Sequence, residues 1–359
     1  MTQLSAGRHL APATPGLGET QAAGLQGARR SVNAERPRRR RSVSATLAAV
    51  LAAGALLAGC AGPPSAGRPL PSSTATPAGG IPHIMVIMEE NQSYSATLGS
   101  CGSGSPDPYW CSLAATYASG TGWYGVQHPS LPNYLDMVSG ADHGCTADTC
   151  PISVGGAGPD LGGQLSQAGI PWVAWMESMP RPCDTGGDSG NYEQHHDPFA
   201  YFTDVTASTD CSTDLAPYPG ASAMVSALDG GDAPDLVWLT PNVCDDMHTA
   251  CTSTNQITVG DDWLKSNLPG VLQSSWFEDG GTVIITMDED EGDNSGCCGD
   301  AAGGSIPITV ISGQARGFGN FSSAGDHYGV LRSLEEAFHL SLLGGAQNPA
   351  NGDLSSLLG

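Results

Sequence analysis

Val283-Ile284-Ile285-Thr286-Met287 runs without a break into Asp288-Glu289-Asp290-Glu291-Gly292-Asp293. Strand-forming residues followed by acids read as a buried strand that ends in carboxylates. An α/β sheet presents its ligands at the carboxyl ends of its strands. Carboxylate oxygens are hard donors, suited to divalent cations. Alone, the stretch reads equally well as a solvated acidic loop behind a core strand. It is not an EF-hand loop, because counting from Asp288 the glycine, Gly292, falls at the fifth position and not the sixth. Asp288 and Glu289, nearest the strand, are the expected ligands.

The same pattern recurs along the chain. His83-Ile84-Met85-Val86-Ile87-Met88 predicts a second buried strand, ending at Glu89-Glu90-Asn91. Further strands are expected over 172–176, 236–239 and 306–311. Helices are expected over 131–139 with Pro132 in the first turn, over 160–168 stopped by Gly169, over 221–228, over 261–274 bent at Pro269, and over 328–339. In the last of these Val330, Leu331, Leu334, Ala337 and Phe338 share one face. Strands alternating with helices imply an α/β fold with a mostly parallel sheet covered on both faces.

Four further stretches carry chemistry. Glu90-Asn91 offers a carboxylate and an amide oxygen at a strand end, where both can face one cation, or simply make a turn. His128-Pro129-Ser130-Leu131-Pro132-Asn133-Tyr134 sets a hydroxyl at a helix start, where the dipole and free N–H groups favour an anion. No Lys stands nearby to activate Ser130, so a divalent ion would have to lower its pKa; the bland alternative is a plain N-cap. Asn191-Tyr192-Glu193-Gln194-His195-His196-Asp197 supplies adjacent histidines, of which one at most reaches a given site. Thr240-Pro241-Asn242-Val243-Cys244-Asp245-Asp246-Met247-His248 places Asp and His after a strand, an arrangement that suits metal or phosphate. Asp326-His327 precedes the last helix.

The chain of 359 residues has a net charge of −23. Basic residues Arg36 and Arg38 to Arg41 precede an apolar run over 43–58 and then Leu57-Ala58-Gly59-Cys60, a secretory signal in form. Cys60 resembles the lipidated cysteine of a bacterial lipobox; an ordinary cleaved signal or a short anchor are the alternatives. Residues 1–60 are thus read as extension and signal, 61–80 as a flexible Pro/Ser/Thr-rich linker, 81–343 as the domain and 344–359 as a tail. Beyond Cys60 the cysteines number an even ten, which in an exported chain argues for disulfides. Sequence neighbours suggest Cys101 with Cys111, Cys145 with Cys150, Cys183 with Cys211, and Cys244 with Cys251, leaving Cys297 with Cys298. Only Arg68, Arg181, Lys265, Arg316 and Arg332 remain as fixed cations after Cys60. Such a surface repels nucleic acid, which is excluded as a partner. For an anionic substrate, metal and histidine must take the place of Lys and Arg.

The ordered set Val86 to Tyr94, His128 to Tyr134, Tyr192 to Phe199, Ile285 to Gly292 and Asp326 to Phe338 resembles the bacterial phosphoesterase family of secreted acid phosphatases and non-specific phospholipases C, within the alkaline phosphatase superfamily. The resemblance implies a three-layer α/β/α sandwich and hydrolysis of phosphate esters through a phosphorylated side chain. By it Glu90, Asn91, Asp288 and Glu289 match the family's two metal-binding pairs, for a divalent ion. Ser130 is the expected nucleophile, by likeness to the Thr-x-Pro-Asn segment of related phosphodiesterases. His196 and His248 are expected to bind phosphate or protonate the leaving oxygen, and His128, Asn133 and His327 to contact substrate. The substrate expected is a small phosphate monoester or a phosphoinositide. A phospholipase C-type diesterase is the nearer alternative, and a non-catalytic calcium-binding surface lipoprotein the more distant one. An exported protein held at the membrane through Cys60 completes the reading.

Overall fold

The computed structural model describes residues 67–70, 81–299 and 301–359. The signal segment and Cys60 lie outside them, as does most of the 61–80 linker. In the body, the purely apolar runs become strands buried on both faces. These are β1 (Ile84–Glu89), β3 (Trp172–Met176), β5 (Leu236–Thr240) and β6 (Thr282–Met287), every residue of which is buried. Interleaved with them are β2 (Ala118–Tyr124), β4 (Leu215–Pro217), β7 (Ser305–Ile311), β8 (Gly319–Phe321) and β9 (Gly325–Asp326). Sheet order is β4-β3-β5-β1-β6-β7-β2-β8, with β9 beside β2. Strand β7 alone runs against the others, antiparallel to both β6 and β2. It can do so because the 288–304 loop returns it directly beside β6, where a parallel neighbour would need a long crossover.

The helices are α1 (Pro108–Thr116), α2 (Ser130–Ser139), α3 (Leu161–Ala168), α4 (Thr203–Thr206), α5 (Cys211–Asp214), α6 (Ala221–Leu228), α7 (Gln256–Val271), α8 (Ser275–Glu278) and α9 (His327–Ala337). They form two packed groups, α2 with α3 and α9, and α7 with α1 and α6. With both strand faces buried, this is the expected layered α/β architecture. Helix α3 is capped by Asp160, whose carboxylate accepts from the Gly163 N–H, and it ends at Gly169 with φ +68°. Helix α7 begins five residues before the expected 261 because the Asn255 side chain caps the N–H groups of Ile257 and Thr258. Pro269 lies inside it, two residues from the end.

All ten described cysteines are paired, in the five neighbouring couples expected. Two segments assigned to linker and tail touch the body. Arg68 bridges to Phe321 and stacks its guanidinium over Phe318. Residues 344–359 do not hang free: Leu354, Leu357 and Leu358 are buried, Ser333 Oγ accepts from the Leu354 N–H, and the Gly359 N–H donates to Thr282 Oγ1 at 2.9 Å. Their leucines find apolar cover along α9, where a polar tail would not. No helix among the described residues is long and apolar enough to cross a membrane.

Candidate active site

Strands β1 and β6 are parallel neighbours with Glu89 opposite Met287. The residues that follow, Glu90-Asn91 and Asp288-Glu289, therefore leave the sheet side by side at the same edge. Asn91 takes φ +48°, a region Asn tolerates, and its N–H donates to Asp288 Oδ1 at 3.1 Å. Opposite them α2 begins at Ser130, whose Oγ stands 3.2 Å from Glu90 Oε2, 3.3 Å from Asn91 Oδ1 and 3.5 Å from Glu289 Oε1. Gly125 permits the approach of the loop before α2, since a Cβ there would lie 2.7 Å from the Asp288 carbonyl oxygen.

These acids are crowded and dry. Burial drives Glu90 well above the usual carboxyl range, and the charges of Asp288 and Asp246 push the same way. Burial lifts Asp288 to about 7, against the Asn91 N–H and Ser130, which favour its charged form. Glu289 is lifted to about 9, first by burial, then by Asp288 and Asp148. Apposed carboxylates without a positive partner hold protons. A divalent cation would supply that partner. The amide of Asn91 makes the same point: its Oδ1 faces only acceptors, with Glu90 Oε2 at 2.5 Å and the two Asp288 oxygens at 3.0 and 3.1 Å. Oxygens so placed repel unless the amide turns its NH₂ toward them or a cation lies among them. An all-oxygen set of Glu90, Asn91, Asp288, Glu289 and the Ser130 hydroxyl fits a hard divalent ion.

The histidines divide by exposure. His196 is 3 % exposed, with Nε2 3.2 Å from Glu90 Oε1 and Nδ1 3.5 Å from Asp246 Oδ2. Tyr134 stacks on it at 5.5 Å between ring centroids. Burial pulls His196 well below its ordinary pKa, and His195 and His248 add to that. So placed, His196 ties Glu90 to Asp246 beneath the surface. His248 is exposed, its ring 6.2 Å from that of His196, and its backbone N–H donates to Asp246 Oδ1 at 2.9 Å. Of the two it is the one open to solvent at the rim.

The three expected substrate contacts, Asn133, His128 and His327, each make hydrogen bonds within the protein. Asn133 is fully buried and spends its amide on the loop ahead of it: Oδ1 accepts from Val126 and Gln127, and Nδ2 donates to the carbonyls of Gln127 and Pro129. His128 joins Glu289 Oε2 through Nδ1 and the Asp293 carbonyl through Nε2. His327 is buried, held down to about 4 by that burial, and bonded through Nε2 to the Asp288 carbonyl. Each fixes the scaffold of a ligand. Residue types predicted the partners of His128 and His327 poorly because those partners come from loops distant in sequence. Asp246 was singled out only as an acid near a histidine; the structure ties it to three elements, since its carbonyl also accepts the Glu90 N–H at 2.7 Å. Tyr134 and Asp148 carried no signal of their own. Asp290 and Glu291 stay on their loop, while Asp188, Glu193 and His195 form a partly exposed cluster on another.

The family model described as the phosphoesterase family matches residues 103–341. A phosphatidylinositol-3-phosphatase of Mycobacterium tuberculosis is 30% identical over 74% of this chain and 80% of its own length. An acid phosphatase of Aspergillus fumigatus is 28% identical over 62% of this chain and 49% of its own. A solved structure of an alkaline phosphatase superfamily protein from Vibrio parahaemolyticus overlays with a TM-score of 0.52 at 12% identity, over 77% of this chain and 69% of that one. That last likeness concerns the fold.

Proposed function

This chain belongs to the phosphoesterase family and hydrolyses phosphoric esters, and on that premise we propose that it is a phosphomonoesterase in which Ser130 is the nucleophile. The observation that carries the reading is the Ser130 hydroxyl at the start of α2, within 3.5 Å of Glu90, Asn91 and Glu289. Glu90, Asn91, Asp288 and Glu289 would hold the divalent cation, with His128, His196 and His327 fixing them from outside. When bound, the cation supplies a lowered hydroxyl pKa and offsets charge on the phosphoryl oxygens. Ser130 Oγ attacks phosphorus in line and the ester oxygen leaves, giving a phosphoserine. His248, exposed at the rim, donates the proton that the leaving alcohol needs, and water then cleaves the phosphoserine.

The mycobacterial relative's name brings phosphoinositides forward as a substrate class. We also infer export, since five disulfides need an oxidising compartment. Anchoring through Cys60 is part of the same proposal, and mass spectrometry of the mature N-terminus tests it.

The central experiment uses residues 61–359 with and without divalent cations, on phosphomonoesters, diesters and phosphoinositides. Cation-dependent phosphate release from monoesters, lost in Ser130→Ala, is the expected outcome. Faster release of diacylglycerol from phosphatidylcholine than of phosphate from any monoester would make it a diesterase instead. Calcium binding without turnover on any ester would leave a binding protein.

A further inference from the structure

The loop closed by the Cys145–Cys150 disulfide carries Asp148 over the start of α2. Asp148 Oδ1 accepts from the N–H of Leu131 at 3.1 Å. Leu131 follows the nucleophile directly, and the next residue, Pro132, has no N–H to give. The N-cap residue is Pro129 and lends no side-chain cap. The amide that an incoming phosphoryl oxygen would meet beside Ser130 therefore already holds a carboxylate of the chain itself. Asp148 is near enough for its charge to act on both Glu289 and His196.

The four arginines after Cys60 are engaged elsewhere. Arg181 pairs with Asp184 and Arg332 with Glu336, while Arg68 and Arg316 lie over the rings of Phe318 and Tyr117. Helix-start N–H groups are ready donors for phosphate, and a resident carboxylate competes with phosphate for the same donor and repels it as well.

We infer that Asp148 is a specificity-determining residue of this site: it stands where a phosphoryl oxygen would bind and holds affinity for phosphate anions low. Two consequences follow. Inorganic phosphate, the product, leaves readily. Esters whose leaving group carries a further negative charge, phosphoinositides among them, are turned over less readily than neutral ones. The inference rests on Ser130 as nucleophile.

Asp148→Asn is the direct test, because Asn keeps an oxygen to accept the Leu131 N–H and removes only the charge. The expected result is a Ki for inorganic phosphate about tenfold lower than in the parent, a difference that shrinks as salt rises. The preference for p-nitrophenyl phosphate over 4-carboxyphenyl phosphate should narrow in parallel. Asp148→Ser, which keeps a capping oxygen without charge, must shift Ki in the same direction. An unchanged or higher Ki in both variants overturns the inference and leaves Asp148 as a cap or a cation ligand. Ser130→Ala separates the two levels: if it stays active, the nucleophile assignment fails; if it is dead and Ki in Asp148→Asn does not fall, only the inference fails.

Discussion

Ser130 has three oxygen neighbours at hydrogen-bond distance and no basic residue among them. A bound cation is the proposed means of acidifying its hydroxyl. Ser130→Ala should lower turnover of a chromogenic phosphomonoester by about 10²-fold or more, since it removes the attacking atom. Near-parental kcat would exclude it. Asp288→Asn tests the other half of the arrangement. It keeps the volume and one oxygen but deletes a charge that is buried at 0 % exposure. Cation affinity by equilibrium dialysis and activity should fall together; full activity in excess chelator would count against the metal role. The chemistry of these residues was legible because strand ends and helix starts project them predictably. The partners of His128, His196 and His327 were not, because each comes from a segment distant in sequence. Asn133 differs from them, since its four backbone partners lie just ahead of it in the chain.

At the scale of elements, strands were readable where apolar runs were continuous. β2 was not, since Ala118-Ser119-Gly120-Thr121-Gly122-Trp123-Tyr124 has a loop-like composition. Its place between β7 and β8 holds it in the sheet, and Gly120 is required there: a Cβ would stand 2.5 Å from Ile308 Cγ2. The three-residue β4 and β8 and the two-residue β9 are too short to show a period. Helix α7 owes its early start to one side chain. Asn255→Ala removes a cap that accepts from Ile257 at 2.9 Å and Thr258 at 3.4 Å, and should cost about 1 kcal/mol in urea unfolding. Asn255→Asp, which keeps the cap, should cost little; an equal loss in both would place the effect elsewhere.

For the whole molecule, acid content has a thermodynamic consequence. Buried carboxyls away from the site are lifted by that burial: Glu335 to about 8, Asp136 and Asp197 to about 7. In the unfolded chain such groups titrate near 4. The folded state thus holds more protons than the unfolded one up to about pH 8, and stability falls as pH rises through that range. His196 and His327, which burial keeps neutral, act in the opposite sense only below their unfolded value of about 6.5. Between about pH 6.5 and 8 the carboxyls act alone, so the urea midpoint of chelated protein should drop across that window. A rise would contradict the assigned directions.

The pairing of β1 with β6 sets Asn91 beside Asp288, 197 residues further along the chain. The two halves of the ligand set do not exist together until the sheet has closed around them. A cation taken up there binds the finished fold and has no site in the open chain, so its binding energy is added to folding stability. The ion would then serve as a late rivet through the centre of the sheet, and chelator present during refolding would act on the yield of native protein as well as on its catalysis.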